Sequence, residues 1–195
     1  MKMGRIFLSL FPLILIVTFA SAAGPDDFDR KVMGWAKEAA EKCSRVLESA
    51  IDKGTLTEKQ VFDTLYIPIP GTYPQKFNTS YDSYTDRHIL PIEEEYLARD
   101  RRMVFIVLLD RNGYLPTHNK KFSNPLTGDK LKDIVGNRTK RIFNDKTGFM
   151  AARNTGPFLL QTYRRDTGEI IKDLSVPVHV KGRHWGALRF GYVGE

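Results

Sequence analysis

A short C-terminal stretch of the chain, VKGRHWGALRFGY at 180–192, combines residue types that could do chemistry. It places His184 beside Trp185, together with two arginines and three glycines. These residue types would suit a catalytic cluster, a ligand-binding strand or a β-hairpin. In a strand, however, neighbouring side chains point to opposite faces, which excludes His184 and Trp185 as a catalytic pair. Gly182 then suits a tight turn, and Gly186 suits the close approach of another element.

The histidines form no recognisable catalytic or metal-binding motif. No histidine is followed by a second one at H-x-x-x-H spacing, and H-E-x-x-H does not occur. No G-x-S-x-G motif marks a nucleophile. We therefore predict that the protein is not an enzyme, with no catalytic residues and no metal site. The four histidines are His88, His118, His179 and His184.

Cys43 is the single cysteine of the chain. An intramolecular disulfide and the C-x-x-C-H motif for covalent haem are therefore both excluded, and no cofactor is identifiable from the sequence. Haem held without a covalent bond, through His118 or His179, stays as an alternative. We predict that Cys43 itself is a buried apolar residue of a helix.

The first residues have the layout of a secretory signal peptide. Lys2 and Arg5 precede an apolar run, and small residues near position 22 fit signal peptidase cleavage. We predict a signal peptide at 1–22 and a periplasmic or secreted protein; retention of the segment as a membrane anchor is the alternative. Loss of the two cations would lower the net charge from +7 to +5. The remaining charges alternate in sign, so we predict no nucleic-acid partner, whereas an anionic ligand is compatible.

An apolar stripe at helical spacing follows. Apolar and small residues recur every three or four positions, which predicts a helix over 26–54 that ends at Gly54. So long a helix needs a sheet beneath it or a second copy beside it, so the stripe could also be the seam of a homodimer. The sequence TLTE, which begins at Thr55, has capping-box spacing and predicts a second, short helix.

A loop-rich segment, 66–91, is unusually rich in proline and tyrosine. Ordered loops of this kind often line binding sites, but this one could equally cap the core. The following stretch, IEEEYLARD, predicts a short helix.

The sheet-forming part lies at 101–193. The apolar run MVFIVLLD predicts a buried central strand, and DRNG then turns the chain into a hairpin partner, YLPTHN. After a helical crossover, FLLQTYRR, EIIKDLSVPVHV and HWGALRFGY predict a three-stranded meander. The fold class is therefore α+β, with the long N-terminal helix packed on a central five-stranded antiparallel sheet.

This order and its motifs resemble the extracellular sensor domains of bacterial methyl-accepting chemotaxis receptors. The resemblance is carried by FIVLLDRNGYLPTHN, by HNKKFSNPLTGDK and by DLSVPVHVKGRHWGALRFGY, and it covers about 101–192. It implies a single Cache, or PAS-like, sensor domain at 23–195 that binds a small molecule without chemistry. Such receptors continue into a second membrane span, a HAMP segment and a signalling coiled coil. Without those parts, we expect a freestanding exported domain that acts through a dimer or a membrane receptor partner.

In such domains the ligand lies between one sheet face and the covering loop and helices. Strand alternation places Gln161 with Tyr163, and Trp185 with Arg189. An anionic ligand would favour an arginine fork. The predicted ligand-binding residues are Tyr114, His118, Arg153, Gln161, Tyr163, Trp185 and Arg189, with Tyr73, Tyr81 and Tyr84 closing the pocket.

Several of these residues also have a purely structural interpretation. Arg189 could pair with Asp173 across two strands, and Trp185 could fill the core beneath the N-terminal helix. Gln161 could satisfy a sheet edge, and His118 could be a polar residue at a strand end. The matching alternative function is an interaction protein with the same fold and no pocket.

Overall fold

The computed structural model of the protein describes residues 24–165 and 168–194. The predicted signal peptide therefore lies outside the described residues. Across the described ranges, no helix is both long and apolar enough to cross a bilayer.

Within the described residues, four α-helices and two short strands precede the first long strand, and two more α-helices and two short strands separate it from the last three strands. The helices are α1 (Asp27–Asp52), α2 (Glu58–Val61), α3 (Asp82–His88), α4 (Leu90–Leu97), α5 (Lys130–Gly136) and α6 (Lys146–Arg153). The strands are β1 (Ile67–Ile69), β2 (Lys76–Asn78), β3 (Met103–Asp110), β4 (Tyr114–Leu115), β5 (Arg141–Ile142), β6 (Leu159–Arg164), β7 (Ile170–Val180) and β8 (Arg183–Tyr192).

The long helix α1 lies across one face of the central sheet, mainly over β7 and β8. Its start is fixed by a capping box between Asp26 and Asp29, and Gly54 follows its end with a φ of 69°. The predicted helix is thus confirmed, as is the buried position of Cys43 on it. The apolar stripe packs on the sheet of the same chain.

The second helix is shorter than the sequence suggested, and its capping box lies elsewhere. The hydroxyl oxygen of Thr57 accepts the N–H of Gln60 at 3.2 Å, and the Gln60 side chain accepts the N–H of Thr57 at 2.9 Å. The predicted box from Thr55 to Glu58 is therefore wrong by two residues. Thr57 and Gln60 have the same three-residue spacing as the predicted pair, and the backbone uses this later position.

The central sheet has four antiparallel strands in the order β3-β8-β7-β6, rather than the predicted five. The predicted partner of β3 is the two-residue strand β4, which instead pairs with β5 in a separate small sheet. Side chains occupy the outer edge of β3. Asn119 Oδ1 accepts the N–H of Ile106 at 2.8 Å, and Glu93 Oε1 accepts the N–H of Leu108 at 2.9 Å. These two bonds satisfy the edge that a fifth strand would cover.

Glu93 is fully buried in this role, and it makes the stability of the protein depend on pH. Its Oε2 has no hydrogen-bond partner in the part of the chain that the structure describes, and burial raises the pKa of the carboxyl well above its ordinary value of 4.5. The folded state therefore holds a proton that the unfolded state releases above about pH 4.5. The free energy of unfolding contributed by this group falls as the pH rises above that value.

We expect Glu93→Gln to remove this loss, because glutamine keeps the oxygen that accepts the Leu108 N–H and cannot ionise. Urea unfolding at pH 5, 6.5 and 8 should show that the variant gains stability over the parent as the pH rises. Glu41→Gln, at an exposed position on α1, is the control and should leave the pH profile unchanged. Parallel profiles for the parent and Glu93→Gln would contradict a buried, protonated Glu93.

The β7–β8 hairpin confirms the predicted roles of its glycines. Lys181 and Gly182 form the turn with φ values of 51° and 73°, the left-handed pair that a two-residue hairpin needs. Gly186 packs against the β3 backbone, where a Cβ atom would lie only 2.7 Å from the Cα of Asp110. The absence of a side chain at this position allows β3 and β8 to pair up to their ends.

Candidate ligand-binding site

An open cavity of about 400 Å³ lies against the sheet face opposite α1. The sheet forms one wall, and the segment that connects β4 to α6 forms the other. The sheet wall consists of Phe105, Val107, Tyr163, Arg164, Arg165 and Arg189, and the connecting wall of Leu115, His118, Arg138, Arg141, Phe143, Asp145 and Thr147. The lining thus combines an apolar floor with five arginines and one aspartate.

The centre of the sheet wall is a buried ion pair between Arg189 and Asp173. Their side chains are almost completely buried, and the guanidinium donates to both carboxylate oxygens, with Nε 3.3 Å from Oδ1. Tyr163 donates its O–H to Asp173 Oδ2 at 3.1 Å and accepts from Arg189 Nη2 at 3.3 Å. The predicted alternative for Arg189, pairing with Asp173, is confirmed. The pair fixes the direction of the guanidinium and balances its charge.

Three of the other arginines lie beside aromatic rings, and the fourth, Arg164, donates to the carbonyl of Gly168 at 2.6 Å. The guanidinium carbons of Arg138 and Arg141 lie 5.6 and 5.0 Å from the centroid of Phe143. The guanidinium of Arg165 lies 5.4 Å from the Phe122 centroid, and it is held by Glu169 at 2.9 Å. Stacking on aromatic faces restricts these long side chains and directs their N–H groups.

His118 borders the cavity with a ring that is only 3% exposed. The ring packs beside Phe122, with centroids 4.9 Å apart, and Nδ1 has no hydrogen-bond partner within the described chain. Burial, together with the charges of Arg138 and Arg165, lowers the pKa of His118 well below its ordinary value. The imidazole is therefore neutral near pH 7, and it offers one donor and one acceptor.

Three of the predicted site residues, His118, Tyr163 and Arg189, line the cavity. Gln161 lies at its border, where Nε2 donates to the carbonyl of Thr147 at 3.1 Å. Arg153 lies outside it, at the end of α6, with its guanidinium 4.1 Å from the Phe149 centroid.

Trp185 does not share a face with Arg189, so that prediction is wrong. The β7–β8 register passes from Val178 opposite Gly186 to His179 opposite His184, which leaves Trp185 as the extra residue of a β-bulge. The bulge turns the indole to the α1 side of the sheet. There Nε1 donates to the carbonyl of Val61 at 2.7 Å, which confirms the alternative of a core position.

The predicted tyrosines also lie on the α1 side, away from the cavity. Tyr81 donates its O–H to Asp110 at 3.1 Å, and Tyr114 donates to Asp82 at 2.9 Å. Tyr84 donates to the carbonyl of Val46 at 3.1 Å. The loop-rich segment 66–91 therefore caps the core, and its tyrosines satisfy buried carboxylates and carbonyls; Tyr73 is half exposed. These residues do not close the pocket as predicted.

The arginines at 138, 141, 164 and 165 are site residues that the sequence did not predict. They occur in GNRTKRIF and YRRDTGE, where alternating charges were interpreted as ordinary surface. Their aromatic neighbours, Phe143 and Phe122, are the only local signal. Among the described residues, no group of three or more His, Cys, Asp or Glu side chains could hold a metal ion.

The chain has few recognisable similarities to known proteins. No family model and no curated protein matches the chain. Among solved structures, it is similar to a crystallised domain of a sensory box/GGDEF family protein from Vibrio parahaemolyticus, at 16% sequence identity and a TM-score of 0.36. The match covers 83% of this chain and 61% of that one, which is less than two thirds of its length. At this TM-score the similarity decides neither fold nor function.

Proposed function

We propose that this chain is a sensor domain of the single Cache, PAS-like class that binds a small anionic molecule without transforming it. The observation that carries the proposal is the cavity on the free face of the sheet, which is lined by five arginines and by a buried, neutral His118. Export to the periplasm and signalling through a dimer or a membrane receptor belong to the same proposal, and they rest on the sequence pattern.

The cavity has the size and composition of a ligand site. Its volume of about 400 Å³ lies within the range of roughly 300–1,000 Å³ that is typical of small-molecule pockets. Phe105, Val107 and Leu115 give an apolar floor, and guanidinium groups offer the planar donor pairs that carboxylates and phosphates accept. A partly enclosed site also strengthens each of these interactions relative to bulk water.

Thermal unfolding with a panel of small carboxylates, phosphates, amines and purines tests the proposal. We expect anions to raise the melting temperature and amines to leave it unchanged, with a stabilisation of about 2.7 kcal/mol at a ligand concentration a hundred times the Kd. His118→Phe keeps the ring packing and removes both nitrogens. It should weaken binding of the best anion by about tenfold or more, because a hydrogen bond to a charged group is lost.

His179→Phe is the matched control, because His179 is exposed and does not line the cavity. It should bind the anion like the parent protein. If no anion at millimolar concentration stabilises the protein, the alternative of an interaction protein without a pocket is favoured. The remaining alternative is haem held through His118 or His179. It predicts a Soret band after haem is added to the purified protein, and the absence of this band would exclude it.

A further inference from the structure

Four of the five arginines that line the cavity form two pairs, one on each wall, and each pair shares an aromatic ring; Arg164 belongs to neither pair. On the connecting wall, Arg138 and Arg141 flank Phe143. On the sheet wall, the guanidinium carbons of Arg165 and Arg189 both lie 5.8 Å from the centroid of Phe105. We call these the connecting pair and the sheet pair.

The connecting pair is anchored through short backbone elements. Arg141 belongs to β5, whose pairing with β4 places it opposite Leu115. Its Nη1 donates to the carbonyl of Ile134, at the end of α5, at 3.1 Å. The guanidinium groups are thus set in position before any ligand binds, which lowers the entropic cost of binding.

Each arginine of the sheet pair forms an ion pair with an acidic residue. Arg165 and Arg189 are only 8% and 5% exposed, and their partners are Glu169 and Asp173. This wall therefore presents fixed N–H donors whose positive charge is already partly balanced. An anionic group that meets them gains directed hydrogen bonds, in addition to its attraction to the charge.

His118 lies between the two pairs. Its ring centroid is 6.3 Å from that of Phe105, and it shares Phe122 with Arg165. Arg138, from the same connecting wall as His118, is close enough to act electrostatically on the imidazole. Two cationic positions are thus separated by a neutral polar group and by the apolar floor.

We infer that the cavity is built for a molecule with two anionic groups joined by a short apolar segment, that is, a dicarboxylate. One carboxylate meets the connecting pair, the other meets the sheet pair, and the carbon chain between them lies on Val107 and Leu115. This inference rests on the proposed function and specifies its ligand class. A monocarboxylate can engage one pair only, and a phosphate monoester concentrates its charge on a single group.

Titration calorimetry with matched ligands and variants tests the inference. The ligands are malonate, succinate, glutarate and adipate, with propionate, butyrate and inorganic phosphate for comparison. We expect one dicarboxylate length to bind at least tenfold more tightly than a monocarboxylate with the same number of carbons. Arg141→Gln and Arg165→Gln should each weaken that dicarboxylate tenfold or more, whereas only one of the two should affect a monocarboxylate.

Arg153→Gln is the control, because it removes the same charge from an exposed position outside the cavity, and it should bind like the parent protein. Equal affinity for mono- and dicarboxylates, with only one sensitive arginine, would overturn the two-anion inference and leave anion binding intact. The two-anion inference would also be overturned if phosphate bound most tightly and its affinity depended on the arginines of one pair only. If none of these anions binds, the proposed function itself fails.

Discussion

Replacing Asp173 by alanine should lower the free energy of unfolding by about 3–5 kcal/mol, because it leaves a buried guanidinium without its counter-charge. Asp173 is fully buried, and Arg189 is 5% exposed. Arg189 would keep its hydrogen bond to the Tyr163 hydroxyl, which is neutral and cannot balance a full charge. Such a loss is a large part of the total stability of a domain of this size.

Urea unfolding of three variants tests this expectation. Asp52→Ala breaks the exposed ion pair with Lys181, and it should cost at most about 1 kcal/mol. The double variant Asp173→Leu/Arg189→Met replaces both charges by apolar side chains, and it should recover most of the stability that the single variant loses. If Asp173→Ala is no more harmful than Asp52→Ala, the pair is solvated and the sheet wall is not fixed as described.

Trp185→Ala should cost about 3–5 kcal/mol, because it empties a large volume on the α1 side of the sheet. The indole is 2% exposed, and its ring centroid lies 5.6 Å from that of Tyr81. The Nε1 bond to the Val61 carbonyl is lost as well. Trp35→Ala is the control, since Trp35 is only partly buried at the edge of the core, and it should cost clearly less.

Trp185→Phe separates the core position of this residue from a role in binding. Phenylalanine keeps most of the packing and leaves the Val61 carbonyl unsatisfied, at a cost of about 1–3 kcal/mol. Anion affinity should stay unchanged, because the indole lies on the face opposite the cavity. A tenfold loss of affinity in a folded Trp185→Phe protein would contradict the bulge at this position.

The regular elements of the fold were predictable from periodicity. The stripe of α1 and the apolar runs of β3, β7 and β8 extend over many residues, so each carries its own signal. The fifth strand was not predictable in the same way. The edge of β3 is satisfied by single side chains, Asn119 and Glu93, and no local pattern distinguishes such residues from any other Asn or Glu.

Trp185 lies on the opposite sheet face from the one that strand alternation predicts, because of a single extra residue in β8. Strand alternation assigns side chains to the correct sheet face only where the pairing register is unbroken. The extra residue at the bulge reverses the predicted face for the residues on one side of it. Residues beyond the bulge, such as Arg189, kept their predicted pairing with Asp173. The error therefore falls on the first residues of β8, which include Trp185, a central candidate of the site.

The cavity could be predicted only in part. Tyr163 and Arg189 lie on long strands, whose faces the sequence indicates. The connecting pair of Arg138 and Arg141 comes from a segment with short, irregular elements, and only the folded chain brings it opposite the sheet. The tyrosines of 66–91 were attractive candidates by composition, but Tyr66 and Tyr81 donate to the buried Asp110 and Tyr84 donates to the carbonyl of Val46.

The location of the ligand site is tested most directly by a two-dimensional ¹H–¹⁵N NMR titration with a short dicarboxylate such as succinate. We expect shifts of the backbone amides at 138–147 and 163–165, whereas the signals of the Trp185 indole N–H and of the amides of α2 should not shift. Shifts centred on Tyr81, Tyr84 and Trp185, or no saturable shift at all, would contradict a binding site on the free face of the sheet.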